Sequence, residues 1–153
     1  MSTTFLKSEP LSEKDAAAYS PNILAFFGDS VYETLVREDI VRNHQTNAGR
    51  LHALAVERVR AGFQSEAVNA VEPLLTEKEA DILWRGRNAG GISIPKSAKA
   101  SEYRRATALE TLFGYLALSG QNERIRELFD AICSMFPDKE VQKDEKERSP
   151  LDC

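Results

Sequence analysis

Two stretches determine how this chain folds: LAFFGDSVY at positions 24–32 and TALETLFGY at positions 107–115. Each stretch is strongly apolar, and each carries a single acid, Asp29 in the first and Glu110 in the second. A lone buried carboxylate destabilises a fold by several kcal/mol unless a cation or hydrogen-bond donors compensate it. Both acids are therefore candidate functional residues.

A glycine accompanies each acid. Gly114 lies four residues after Glu110, on the same helical face, and Gly28 directly precedes Asp29. A glycine inside a helix costs up to ~1 kcal/mol relative to alanine, so its presence needs another reason. We expect the small residues to let two helices approach closely and to bring the two carboxylates together.

Paired carboxylates are typical of a metal site, because they repel each other at short range and a divalent cation removes the repulsion. The alternative is that each acid pairs with an arginine, such as Arg37 or Arg105, as a purely structural contact. The residues alone leave both interpretations open.

The rest of the chain predicts an all-α fold, a bundle of six or seven helices without convincing strands. Capping signals and apolar spacing place helices at about 13–19, 21–43, 47–61, 63–72, 77–86, 101–119 and 122–136. Gly86 suits the C-cap of the fifth helix. Residues 87–100 are predicted to form a loop, and Trp84 is assigned to the core.

Composition excludes several classes of protein. The 153 residues suit one domain, and no apolar run approaches the ~20 residues that a bilayer requires. Two cysteines and two histidines lack zinc-type spacing, and glycine-rich nucleotide loops are absent. We expect a soluble, cytoplasmic protein whose chemistry depends on carboxylates. Its domain covers 1–136, with a core at 20–135, and a disordered charged tail covers 137–153.

Charge is uneven along the chain. The net charge is −4, yet residues 85–105 contain six basic residues and one acid. A basic segment on an acidic body is expected where one surface meets phosphates. The alternative is a solvated loop with scattered charge.

The two acidic stretches resemble the motifs of a known family. LAFFGDSV (24–31) resembles the signature helix of the ribonuclease III catalytic domain, and TALETLFG (107–114) resembles its second acidic motif. RGRNA (85–89), Pro95-Lys96 and Tyr103-Arg104 resemble the Mini-III branch in particular. The resemblance covers about residues 20–135.

The resemblance implies a homodimeric endonuclease that cleaves double-stranded RNA with Mg²⁺, or with Mn²⁺ as a substitute, and leaves 5′-phosphate and 3′-hydroxyl ends. It also implies a role in maturing precursors of large-subunit ribosomal RNA. Asp29 and Glu110 match the catalytic, metal-binding carboxylates. Ala25 stands where the larger enzymes have a glutamate and Thr107 where they have an aspartate, as in other Mini-III members, so we expect weak Mg²⁺ binding without RNA.

RNA binding is assigned to the basic segment. The predicted contacts are Arg85, Arg87, Asn88, Lys96, Lys99, Arg104 and Arg105. The alternative for either Arg104 or Arg105 is a structural contact with an acid, and Tyr103 suits the core as well as a contact. Glu33, four residues after Asp29, fits the surface or an interface better than the metal site.

The aromatic residues suggest a dimer, since their number exceeds what two adjacent helices of one small bundle need. They are Phe26, Phe27, Tyr32, Phe113 and Tyr115. Two other functions remain open. One is a catalytically silent RNA-binding or ribosome-assembly factor, and the other is a helical adaptor that ignores RNA.

Overall fold

The computed structural model describes residues 5–91, 93–96 and 99–136, and over these residues the chain is all-helical, with seven α-helices, one 3-10 turn and no strand. The helices are α1 (Glu13–Ala17), α2 (Pro21–Asn43), α3 (Ala48–Val59), α4 (Ala61–Val71), α5 (Glu77–Arg87), α6 (Ala100–Leu118) and α7 (Asn122–Met135), with the 3-10 turn at Glu72–Leu74. The predicted fold class is confirmed. The predicted tail, 137–153, lies outside the described residues.

The predicted helix starts are found where the capping residues are. The side chain of Ser20 accepts from the backbone N–H of Ile23 at 3.4 Å, and Pro21 opens α2. Thr76 and Glu79 form a reciprocal capping box at the start of α5. These side chains satisfy backbone donors that the first turn of a helix leaves unpaired.

The end of α5 differs from the prediction. Gly86 is not the cap, because the helix continues to Arg87 and Asn88 takes the capping position. Gly86 is buried against α6, where a Cβ atom would lie 2.9 Å from the Cα atom of Ala108. The assignment of Trp84 to the core is also wrong, since its side chain is 63% exposed.

Helix α6 is the centre of the bundle. It contacts α1, α2, α4, α5 and α7, and all residues from 106 to 117 are buried except Glu110, which is half-buried. The one acid in the middle of α6 therefore sits where the other positions pack against neighbours. Among the described residues, no helix combines the length and the apolar composition needed to cross a bilayer.

Helices α2 and α6 cross at their glycines. A Cβ atom on Gly28 would collide with the backbone carbonyl of Glu110, and one on Gly114 would collide with that of Leu24. Because backbone rather than flexible side chain fills these positions, only glycine permits the approach. The expected close contact of the two helices is present.

Most of the aromatic residues that suggested a dimer are used in the core of a single chain. Tyr32, Phe113 and Tyr115 are fully buried in one chain, and the Tyr32 ring lies 5.9 Å from the Phe113 ring. Phe26 is the exception, with 84% of its surface exposed. Any case for a dimer therefore rests on Phe26 and its neighbours rather than on the whole set.

Candidate active site

Asp29 and Glu110 meet at the crossing of α2 and α6. Asp29 projects from α2 at an exposed position, Glu110 is half-buried on α6, and both side chains line the same cavity, close enough for Asp29 to raise the pKa of Glu110. The close approach at Gly28 and Gly114 makes this contact possible. The prediction that the glycines bring the two acids together agrees with this geometry.

The environment of Glu110 favours the protonated carboxyl. Burial is the main cause, and the hydrogen bond and negative charge of Asp29 add to it; together they raise the pKa of Glu110 to about 9. A hydrogen bond with Gln64 acts in the opposite direction and lowers it. Without a cation, Glu110 therefore keeps its proton near neutral pH.

The two arginines considered as structural partners bond elsewhere. Arg37 lies 3.8 Å from Glu33 on the exposed side of α2. Arg105 donates to the backbone oxygen and the hydroxyl of Ser65, to Asn69 at 2.6 Å, and forms an ion pair with Glu72 at 3.6 Å. Neither supplies the compensating charge for the acid pair, which favours the metal interpretation.

The acid pair opens into a cavity of about 350 Å³. Its lining residues come from α2, α4, α6 and the end of α3, and are Asn22, Ala25, Phe26, Asp29, Val59, Ala61, Gln64, Tyr103, Ala106, Thr107 and Glu110. Tyr103, which suited the core or a contact equally, is half-buried at this wall. Ala25 and Thr107, where larger relatives carry acids, lie beside the pair.

Two polar residues of this cavity, Asn22 and Gln64, were not predicted from the sequence. The amide of Asn22 donates to the backbone oxygen of Gly90 at 3.0 Å and so ties the basic segment to the first turn of α2. Gln64 is 3% exposed and lies on the buried face of α4, three residues before Ala67. A polar side chain on the otherwise apolar face of a predicted helix was the sequence signal that could have identified Gln64.

Two of the predicted RNA contacts, Arg85 and Arg105, form hydrogen bonds within the protein. Arg85 donates to the backbone oxygens of Ala17 and Tyr19, at 3.0 and 3.5 Å. Arg105 is bound as described above, and this pairing was the structural alternative considered for it. Both still contribute positive charge near the basic segment.

The other predicted contacts lie around the ends of α5 and α6. Arg87 is exposed in the last turn of α5, and the side chain of Asn88 donates to the backbone oxygen of Trp84 at 2.9 Å. Lys96 is exposed, the Lys99 side chain is 80% exposed 3.9 Å from Glu102, and Arg104 is half-buried in the first turn of α6. These residues remain predicted contacts.

The donor set suits a hard divalent cation. Carboxylate and amide oxygens are the ligands that Mg²⁺ and Mn²⁺ prefer, and a cation beside Asp29 and Glu110 would relieve the repulsion between two carboxylates in one cavity. Within the described ranges, no cluster of three or more His, Cys, Asp or Glu residues is present. A cation held by Asp29 and Glu110 would need further oxygens to complete its coordination shell.

Comparison with known proteins gives a consistent result. Residues 22–121 match the model of the Ribonuclease III domain family. A Mini-ribonuclease 3 of Symbiobacterium thermophilum is 42% identical over 111 residues, covering 72% of this chain and 85% of that protein. A Mini-ribonuclease 3 of Clostridium tetani is 30% identical over 146 residues, covering 95% and 97%.

The fold has a solved counterpart. The crystal structure of a protein from Fusobacterium nucleatum superposes with a TM-score of 0.70 at 28% identity, covering 78% of this chain and 96% of that one. A helical fold with two motif acids in one cavity, together with these matches, defines a ribonuclease III-type endoribonuclease. The chain belongs to the ribonuclease III family, and its similarity to the Mini-ribonuclease 3 proteins extends over most of its length.

Proposed function

We propose that this protein is a Mg²⁺-dependent endonuclease that cleaves double-stranded RNA and leaves 5′-phosphate and 3′-hydroxyl ends. The observation that carries the proposal is that Asp29 and Glu110 lie together in an open cavity, without Arg37 or Arg105 as counter-charge. Family members act on double-stranded RNA and generally depend on a divalent metal, which supports the same conclusion.

Asp29 and Glu110 would hold the cation between α2 and α6. When bound there, such a cation would supply positive charge at the scissile phosphate and a water acidified enough to act as nucleophile at neutral pH. Glu110 must release its proton for this role, since only the carboxylate is a ligand. No histidine lines the described cavity, and we assign no protein general base.

The basic segment would hold the duplex beside the cavity. The Asn22–Gly90 hydrogen bond places the start of the 88–99 connection at a residue that lines the site. Double-stranded RNA is recognised chiefly through its phosphates and 2′-hydroxyls, which cationic side chains contact without reading sequence. Arg87, Lys96, Lys99 and Arg104 would bind phosphates, while Arg85 and Arg105 add charge from fixed positions.

The proposed assembly is a homodimer. Phe26 and Ile23 leave 84% and 52% of their surfaces exposed on one face of α2, next to Asp29. Exposed apolar residues of this size mark contact surfaces, and a two-fold axis would present one site to each strand of a duplex. By resemblance to Mini-III enzymes, we propose a precursor of large-subunit ribosomal RNA as the substrate and the cytoplasm as the compartment.

Incubation with a long double-stranded RNA and Mg²⁺ tests this function. We expect short products with 5′-phosphates, no products in EDTA, and little cleavage of single-stranded RNA or duplex DNA of the same sequence. Binding without cleavage would instead indicate the silent RNA-binding factor. Absence of binding even at low salt would indicate the adaptor, because phosphate contacts strengthen as salt falls.

A further inference from the structure

Gln64 presents an unusual buried amide. Gln64 lies on α4 with only 3% of its surface exposed, and its Nε2 atom donates to the backbone oxygen of Val59 at 2.8 Å. Its Oε1 atom is buried and has no hydrogen-bond partner. A buried polar atom left unpaired typically costs ~1–3 kcal/mol, so such atoms generally have a function or a missing partner.

The unpaired oxygen belongs to a side chain of the acid cavity. Gln64 lines the cavity together with Asp29 and Glu110, and it lies close enough to Glu110 to influence the ionisation of that carboxyl. Its bond to Val59 anchors the amide at the junction of α3 and α4, so the side chain has little freedom to turn away. The amide is therefore held in the wall of the cavity that contains both acids.

An amide oxygen is a suitable ligand for such a cation. Mg²⁺ and Ca²⁺ accept Asn and Gln carbonyl oxygens alongside carboxylates. Two carboxylates fill only part of a six-coordinate shell, and the neighbouring cavity positions Ala25 and Thr107 supply no further carboxylate.

We propose that Gln64 is the third protein oxygen donor of the cation site, with Oε1 directed to the ion held by Asp29 and Glu110. This assignment rests on the proposed function and deepens it. It accounts for both ends of the amide: Nε2 fixes the side chain to Val59, and Oε1 acquires the partner that it lacks. A purely structural amide would need only the first of these contacts.

Cation affinity without RNA tests the assignment. Free Mn²⁺ would be measured by electron paramagnetic resonance during titration of the unchanged chain, Gln64→Met and Gln64→Glu. Methionine keeps the volume and removes the oxygen, so we expect about tenfold weaker Mn²⁺ binding. Glutamate keeps an oxygen and adds charge, so we expect Mn²⁺ binding at least as tight as in the unchanged chain, although the bond to Val59 is lost.

The opposite effects of the two variants separate a ligand from a structural brace. Gln121→Met, in the α6–α7 connection outside the cavity, is the matched control and should leave Mn²⁺ affinity unchanged. Denaturant unfolding in EDTA identifies any variant that does not fold. If Gln64→Met does not fold, Gln64→Glu decides. Weaker Mn²⁺ binding by Gln64→Glu than by the unchanged chain then overturns the assignment, and binding at least as tight supports it. Equal affinity in Gln64→Met and the unchanged chain also overturns it, while RNA cleavage by the unchanged chain keeps the proposed function. An unchanged chain that neither binds Mn²⁺ nor cleaves RNA overturns both.

Discussion

At the scale of single residues, the site depends on the protonation of Glu110. Its pKa is raised from 4.5 to about 9 by burial and by Asp29, so the folded chain without cation keeps a proton that the unfolded chain loses. The folded state then binds more protons than the unfolded state between these two values. In EDTA, this group therefore lowers the free energy of unfolding as pH rises from about 4.5 to about 9.

Urea unfolding in EDTA at several pH values checks this effect, with Glu110→Gln as the control because its amide cannot titrate. We expect the unchanged chain to lose stability relative to Glu110→Gln as pH rises, and Mn²⁺ to restore it most strongly at the high-pH end. Cation binding should also release a proton near neutral pH, visible as a dependence of the binding heat on the buffer. Parallel stability profiles for the two chains would contradict the account.

Residue-level prediction from sequence succeeded where two signals coincided. An acid in an apolar stretch beside a glycine predicted both the helix crossing and the meeting of Asp29 with Glu110. Gln64 has only one signal, a polar side chain in an apolar register, and Asn22 has none, because their partners, Val59 and Gly90, are set by tertiary packing. Arg85 was assigned to RNA because its charge is visible in sequence, whereas its bonds to Ala17 and Tyr19 are not.

At the scale of elements, the crossing of α2 and α6 places the acids. Gly28→Ala would usually stabilise a helix by up to ~1 kcal/mol, because alanine has the higher helix propensity. Here the added methyl group would meet the backbone of Glu110, so we expect the free energy of unfolding to fall by about 2 kcal/mol or more, with loss of cleavage.

Gly49→Ala is the matched control for denaturant unfolding, because its Cβ atom in α3 would lie 3.4 Å from only one side-chain oxygen, that of Asn47. We expect Gly49→Ala to retain full stability and cleavage. A Gly28→Ala chain as stable as the control would show that the helices do not pack backbone to backbone.

Helix boundaries illustrate what sequence cannot distinguish. Ser20 and Thr76 marked helix starts correctly because capping is a local interaction, and of the two candidates for the start of α3, Thr46 and Asn47, the cap is Asn47. Gly86 was misjudged because a glycine signals either a helix end or a close contact, and only the position of α6 decides between them. Trp84 was misplaced for a related reason: hydrophobic size predicts burial on average, and the register of α5 turns this side chain outward.

At the scale of the whole molecule, the proposed dimer depends on the exposed face of α2. We expect the unchanged chain to sediment at twice the 17.1 kDa of one chain, and Phe26→Ser to shift it towards the monomer with loss of cleavage. Val41→Ser, 62% exposed near the other end of α2, is the control and should remain dimeric. A monomeric unchanged chain would remove the dimer from the account.

Long-range electrostatics govern how the molecule meets RNA. With Asp29→Asn as the background to keep RNA intact, we expect Arg87→Ala to weaken duplex binding for every sequence and to reduce the salt slope by about one. Arg42→Ala, an exposed arginine at the far end of α2, should leave both quantities unchanged. Equal effects of the two variants would show that the basic segment does not define the binding surface.

The central claim, that Asp29 and Glu110 form one metal-dependent cleavage site, is tested most directly by single-turnover cleavage of a duplex RNA by Asp29→Asn and Glu110→Gln. Binding of the same RNA is measured in parallel. The account predicts that each substitution lowers the cleavage rate by about a thousandfold or more at saturating Mg²⁺ while duplex affinity stays within a fewfold of the unchanged chain. Cleavage at the unchanged rate by either variant would contradict it.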